Sequence, residues 1–288
     1  MSDSGASIPE AYSLLLSEGA YLQADSTLIE ISGSDAFTWF QGQITQDMRK
    51  LLDSKHISAC LVSATGQLQS LLKIYASDNK VQVITDQPSE LIRRLDELVI
   101  LEDVQYEIKA ENFWSFQGGP PRENTGLPNN RTGLGGYDLP FEKPNITQTL
   151  SPELFNLISL EHGIPLLGID TNEKTLPPEL GSAFDQEYIA YDKGCYTGQE
   201  VLQRIHSRGH TNKTWVGLVC SELPQVGDEV QFEEKDVGTV HRVAVSPTLG
   251  PIASATLRNQ ATTPGTQVQI GMISAEVREM PLLAARSL

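Results

Sequence analysis

Helical periodicity stops at Trp215. From there on the chain offers only short β-rich runs, over residues 216–219, 229–232, 237–245, 252–257, 266–270 and 275–277, alternating with Gly and Pro turns. That pattern predicts a small β-barrel. With 288 residues the chain is too long for one ordinary domain. We therefore expect an α+β region over 1–212 and a barrel over 213–288.

The region before the barrel mixes strand and helix signals. Residues 28–31 read as a strand, with Ser34 as the expected N-cap of a helix carrying Ala36, Phe37 and Phe40. Residues 57–62 and 68–75 flank a turn at Gly66, and residues 81–85 form another strand before a helix from Pro88 to about Val99. Residues 118–136, rich in Gly, Pro and Asn, are expected to form a long surface loop or a connection between subdomains. Ser151 caps a helix with Pro152 in its first turn and Leu154, Leu157 and Ile158 on one face, ended by Gly163 and Pro165. A further helix is expected over 198–207, with Val201, Leu202 and Ile205 as its buried stripe.

Composition narrows the function. The chain is 39% apolar and 20% charged, as in globular domains. A net charge of -16 opposes phosphate-backbone binding, so no direct nucleic-acid contact is expected. No run approaches the roughly 18 apolar residues of a membrane span. The first basic residue is Arg49, which predicts no secretory or transit segment and a cytoplasmic location. Three cysteines, Cys60, Cys195 and Cys220, show neither a disulfide framework nor zinc spacing.

The densest cluster of unusual residues is Asp192-Lys193-Gly194-Cys195-Tyr196-Thr197-Gly198-Gln199-Glu200. Its two glycines permit tight turns. Cys195 falls just before the expected helix, where free N–H groups favour a thiolate, and Lys193 is placed to lower its pKa further. The same spacing also suits a small buried filler. Lys193, Arg204, Arg208 and Lys213 form a basic stretch that either receives an anion or, for Glu200, Arg204 and Arg208, pairs along the helix at i, i+4. His206 and His210 share that spacing, but Gly209 ends the helix between them and no third ligand is spaced nearby, so no metal is assigned.

Glu161 falls on the apolar stripe of its helix, near a C-terminus that disfavours negative charge. Such a carboxylate must find donors or take up a proton. A local partner and the paired donors of an aminopyrimidine edge both answer that need.

These pieces together resemble the YgfZ family. Lys193-Gly194-Cys195-Tyr196-x-Gly198-Gln199-Glu200, continued by Arg204, matches its motif. The run Leu160-Glu161-His162-Gly163-Ile164-Pro165, followed by Gly168, Asp170, Thr171 and Leu176-Pro177-Pro178-Glu179, is similar to its second block. Gly33-x-Asp35 and Phe40-Gln41-Gly42-Gln43-x-Thr45-x-Asp47 are similar to its first, and Ser246-Pro247 and Gly250 fit its barrel.

The resemblance implies a multidomain, aminomethyltransferase-like fold of intertwined folate-binding subdomains around a central hole, with the barrel at the C-terminus. It implies tetrahydrofolate as cofactor, with Glu161 reading the pterin, Arg204 meeting the anionic part, and Tyr196 and Gln199 beside the ligand. Cys195, activated by Lys193, would face the same cavity. The implied role is support of iron–sulfur cluster assembly or repair, including enzymes of tRNA thiolation, with iron–sulfur enzymes or cluster-assembly proteins as partners.

Two departures qualify this. The stretch after Gly66 (Gln67-Leu68-Gln69-Ser70-Leu71-Leu72) lacks the acids expected of glycine-cleavage chemistry. Ser159 stands where the family often has arginine. The alternatives are a tetrahydrofolate-dependent one-carbon transferase acting on a small amine, and a non-catalytic adaptor.

Overall fold

The computed structural model describes residues 7–77, 80–120 and 126–284. Helix α1 (Ile8–Glu18) opens where the Ser7 N–H and hydroxyl both donate to the Glu10 carboxylate (3.0 and 2.9 Å), a start the periodicity of the sequence does not single out. Strand β1 (Ala20–Gln23) then joins β7 (Trp114–Gln117), β8 (Leu127–Pro128) and β9 (Gly136–Leu139) in a four-stranded sheet ordered β1-β7-β9-β8.

A five-stranded antiparallel sheet is built from β2 (Thr27–Ser32), β3 (Ile57–Val62), β4 (Leu68–Ser77), β5 (Lys80–Thr85) and β6 (Gln105–Glu111), in the order β3-β4-β5-β2-β6. Helices α2 (Ala36–Gln41) and α3 (Pro88–Leu98) pack Trp39, Phe40, Leu91 and Leu95 against Ile29, Ile31, Ile74 and Val83. Ser34 does not cap α2: its N–H and hydroxyl both donate to Asp103, and Asp35 holds the N-cap position instead.

Helix α4 (Pro152–Glu161) begins as the sequence predicts, with the Ser151 hydroxyl accepting from Leu154 N–H. Two short helices follow, α5 (Ser182–Tyr188) and α6 (Gln199–Arg208). Leu154, Leu157, Ile158, Leu202, Trp215 and Ile252 share one core, which joins this segment to the barrel.

The last strands are β10 (Lys213–Cys220), β11 (Glu229–Phe232), β12 (Lys235–Ser246), β13 (Gly250–Arg258), β14 (Gln267–Ile270) and β15 (Ile273–Arg278). They form a closed barrel, with β15 pairing back onto β10. The register of β12 slips between Val240 and Arg242, and such a bulge re-aims a side chain. Buried Arg242 here crosses to α4, donating to Ser159 Oγ (2.9 Å) and Ile164 O (2.9 Å) and pairing with Asp170 (2.9 Å). Asp170 also accepts from Trp215 Nε1 and Ser254 Oγ. An arginine of the barrel thus meets the serine that stands where an arginine was expected.

Of the two readings of 118–136, the surface loop is corrected. Among its described residues, Asn129, Thr132 and Leu134 are buried, because Gln117 and Asp138 of the four-stranded sheet supply hydrogen bonds that a buried loop needs.

Candidate functional site

A cavity of about 280 Å³ lies between β4, β5, the segment 129–131, the turn 164–169 and Tyr188 of α5. A second cavity, about 600 Å³, adjoins it, and Asp86, Gln87, Arg131 and Phe155 line both. The four-stranded sheet sets Arg131: Asp138, fully buried, grips its guanidinium twice (2.8 and 2.8 Å), and Ser26 Oγ accepts a third bond (2.8 Å). Its remaining nitrogen reaches Asp86 at 3.2 Å, and that carboxylate is half exposed. Lys73 pairs with Glu187 (3.0 Å) and lies 5.7 Å from the centre of the Tyr188 ring. This combination of an aromatic wall, an amide, an acid and two cations can hold a flat polar heterocycle with an anionic tail.

Sequence reasoning missed Asp86 and Arg131. The signal was slight: one arginine in an Asn-rich stretch, and one aspartate at a strand end, with no periodicity to bind them.

The predicted motif residues gather elsewhere. Lys193 is buried and its Nζ donates to three carbonyls, of Gln41 (2.6 Å), Ile44 (2.7 Å) and Gln46 (3.0 Å). Thr197 N–H donates to Gly42 O and Ala190 N–H to Thr45 O, so the first block and the cysteine motif are laced together. Burial lowers the Lys193 ammonium to about 8, against the opposing pull of Asp47. All three of its donors are committed, and the Cys195 thiol is exposed. The ammonium is a strut between two loops. Cys195 is not the buried filler that its spacing also allowed.

Tyr196 is buried, its ring centre 4.9 Å from the Lys193 ammonium. Burial raises its phenol, whose oxygen finds no partner among the described residues. Gly198, at φ +80°, is the left-handed N-cap of α6, and a Cβ there would meet Ser63 O at 2.4 Å, so only glycine fits. Gly194 faces open space, so only one of the two glycines is required by the backbone. Gln199 opens the helix, and Arg204 and Arg208 are exposed on it without an ion pair among the described residues, so the i, i+4 pairing with Glu200 does not form. Only Leu202 of the expected stripe is fully buried.

Glu161 is fully buried at the end of α4. One carboxylate oxygen accepts from the Tyr12 hydroxyl (2.9 Å), while the other has no hydrogen-bond partner among the described residues. Burial raises its pKa, opposed by hydroxyls of Ser246 and Tyr12. The orphaned oxygen is the acceptor an aminopyrimidine would need. Yet Glu161 lines neither of the two adjoining cavities, and neither does Cys195. The lysine strut draws the base of the motif inward, beneath the exposed Cys195. His206 stacks on Tyr191 rather than meeting His210.

No protein-family model matches the chain. It is 24% identical over 245 residues to the tRNA-modifying protein YgfZ of Photorhabdus laumondii, covering 74% of each chain. It is 25% identical over 247 residues to that of Klebsiella pneumoniae, covering 74% of this chain and 75% of the relative. The protein of that name from Escherichia coli O157:H7 is 26% identical over 245 residues, covering 73% of this chain and 74% of that protein. Among solved structures, the glycine cleavage system aminomethyltransferase T of Bartonella henselae superposes with a TM-score of 0.81 at 15% identity, over 97% of this chain and 90% of the other. The chain is thus similar in sequence to the YgfZ proteins and shares the fold of the aminomethyltransferase.

Proposed function

We propose that the chain binds tetrahydrofolate in the paired cavities around Asp86 and Arg131 and serves the upkeep of iron–sulfur enzymes, those of tRNA thiolation among them. The observation that carries the reading is the cavity itself. It is a cleft lined from both sheets and the 164–169 turn, and it combines Tyr188 and Phe155 with a fixed guanidinium and a half-exposed acid. The name of the YgfZ relatives supports a place in tRNA modification. In this reading Arg131 and Lys73 meet the anionic tail and Asp86 the amino-bearing ring. Glu161, which lines neither cavity, is the rival reader of the pterin, because its unpartnered oxygen is the acceptor that ring needs. Tyr196, Gln199 and Arg204 keep their proposed places toward the ligand's outer end.

Cys195, outside the cavity, offers its sulfur as a transient ligand to a cluster on a docked client. The partners are accordingly folate and iron–sulfur or cluster-assembly proteins. Gln67, Gln69 and Ser70 leave the turn after Gly66 without a carboxylate, which argues against aminomethyl transfer.

Calorimetric titration with tetrahydrofolate tests the ligand assignment. Wild type gives saturable binding, and Arg131→Met and Tyr188→Ala each weaken it at least tenfold. Glu161→Gln costs roughly 1.5–3 kcal/mol if the acid reads the pterin. Unchanged affinity in Glu161→Gln removes that residue alone, whereas no saturable binding to wild type overturns the ligand assignment. Complementation of iron–sulfur enzyme activity by Cys195→Ala overturns the thiol role.

A further inference from the structure

A cavity of about 570 Å³ lies apart from the paired cavities, between α5, α6 and the first barrel strand, and shares no lining residue with them. Its wall carries Asp185, Tyr191, His206, Trp215 and Glu279, and neither lysine nor arginine. Tyr191 is fixed at both ends of its side chain. The hydroxyl donates to Asp185 (2.6 Å), and the ring stacks on His206 at 3.8 Å, with the planes 15° apart. The imidazole is exposed, so the stack presents a flat platform. Glu279 accepts from Ser182 (2.6 Å). Neither Asp185 nor Glu279 takes part in an ion pair among the described residues.

The chemistry of this wall selects among ligands. Two uncompensated carboxylates, in a chain of net charge -16, repel phosphates and carboxylates. A neutral hydrocarbon would remove water from those oxygens without replacing its hydrogen bonds. A flat cation answers both demands, since its N–H groups donate in parallel to a carboxylate and its plane continues the stack. The volume is within the range of small-molecule sites. We propose that this cavity is a second binding site, one for a planar organic cation of the amidinium, guanidinium or protonated amino-heterocycle class. It would act alongside the folate site and does not depend on that reading. The ligand would contact Ile205 and His206, on the helix that follows the cysteine motif.

Calorimetric titration of the full chain with benzamidine at pH 8 and low salt is the test, with benzamide and benzoate as neutral and anionic isosteres. Benzamidine is expected to bind saturably at one site, benzamide at least tenfold more weakly, and benzoate not at all. Asp185→Asn and Glu279→Gln should each weaken benzamidine about tenfold. His206→Ala should weaken it as well, while His206→Phe, which keeps the platform, restores it. Absence of saturable benzamidine binding overturns the proposal, as does equal binding of benzamide. The isostere comparison uses wild type alone and stands even where a variant fails to fold. Unchanged affinity in both carboxylate variants moves the cation elsewhere and overturns it too.

Discussion

Cys60 and Cys220 are buried, and burial pushes the Cys60 thiol far up and the Cys220 thiol up to about 11, whereas Cys195 is exposed. Alkylation follows the thiolate and its access. Native protein treated with iodoacetamide at pH 8 should therefore take up one adduct, at Cys195, and three only after unfolding; peptide mass spectrometry reads the difference. Glu161 makes a different prediction. Burial raises its folded pKa above the 4.5 of the unfolded chain, so the native state binds the proton more tightly. The stability this contributes is present below pH 4.5 and is lost as pH rises through the folded value. Urea unfolding across pH 4–8 should show wild type losing stability relative to Glu161→Gln by up to about 1.4 kcal/mol per pH unit inside that window. Parallel pH profiles would show the acid to be solvated instead.

Among the elements, the loop pair 41–46 and 190–198 depends on the Lys193 strut. Replacing it by methionine strands three carbonyls, at a cost of at least about 2 kcal/mol. Lys193→Arg should not rescue, because three converging acceptors suit a compact ammonium and not a planar fork. Urea unfolding measures the loss. Hydrogen exchange at Ala190 and Thr197 should rise beyond what global destabilisation explains. Nothing in the sequence announced this contact, since a lysine beside a cysteine reads as chemistry and its 150-residue-distant carbonyls leave no pattern. Local signals carried through where they were strong. Ser151 with Pro152, the strands over 57–62 and 229–232, and the glycines bounding α6 each appear in the structure as read. Helices α1 and α5 were not foreseen; both hold their places by packing against the core they share with α4. The candidate site was half legible. Motif residues could be named, but the cavity is made by Asp86, Arg131 and Tyr188, which come from three distant segments.

At the scale of the molecule, Arg242 and Asp170 fasten the barrel to the rest. Both are buried, and truncating one leaves the other charge unpaired, which typically costs 3–5 kcal/mol. Arg242→Ala should lower the thermal midpoint by several degrees, and calorimetry should then resolve the barrel melting apart from the sheets. A single, unshifted transition would show that the interface rests on the shared apolar core alone. The barrel's closure has a further consequence. Because β15 returns to β10, the described barrel strands leave no row of unpaired backbone groups on which a foreign strand can template. The two open sheets end at β3, β6, β1 and β8, so a client recruited by strand addition would have to dock on them.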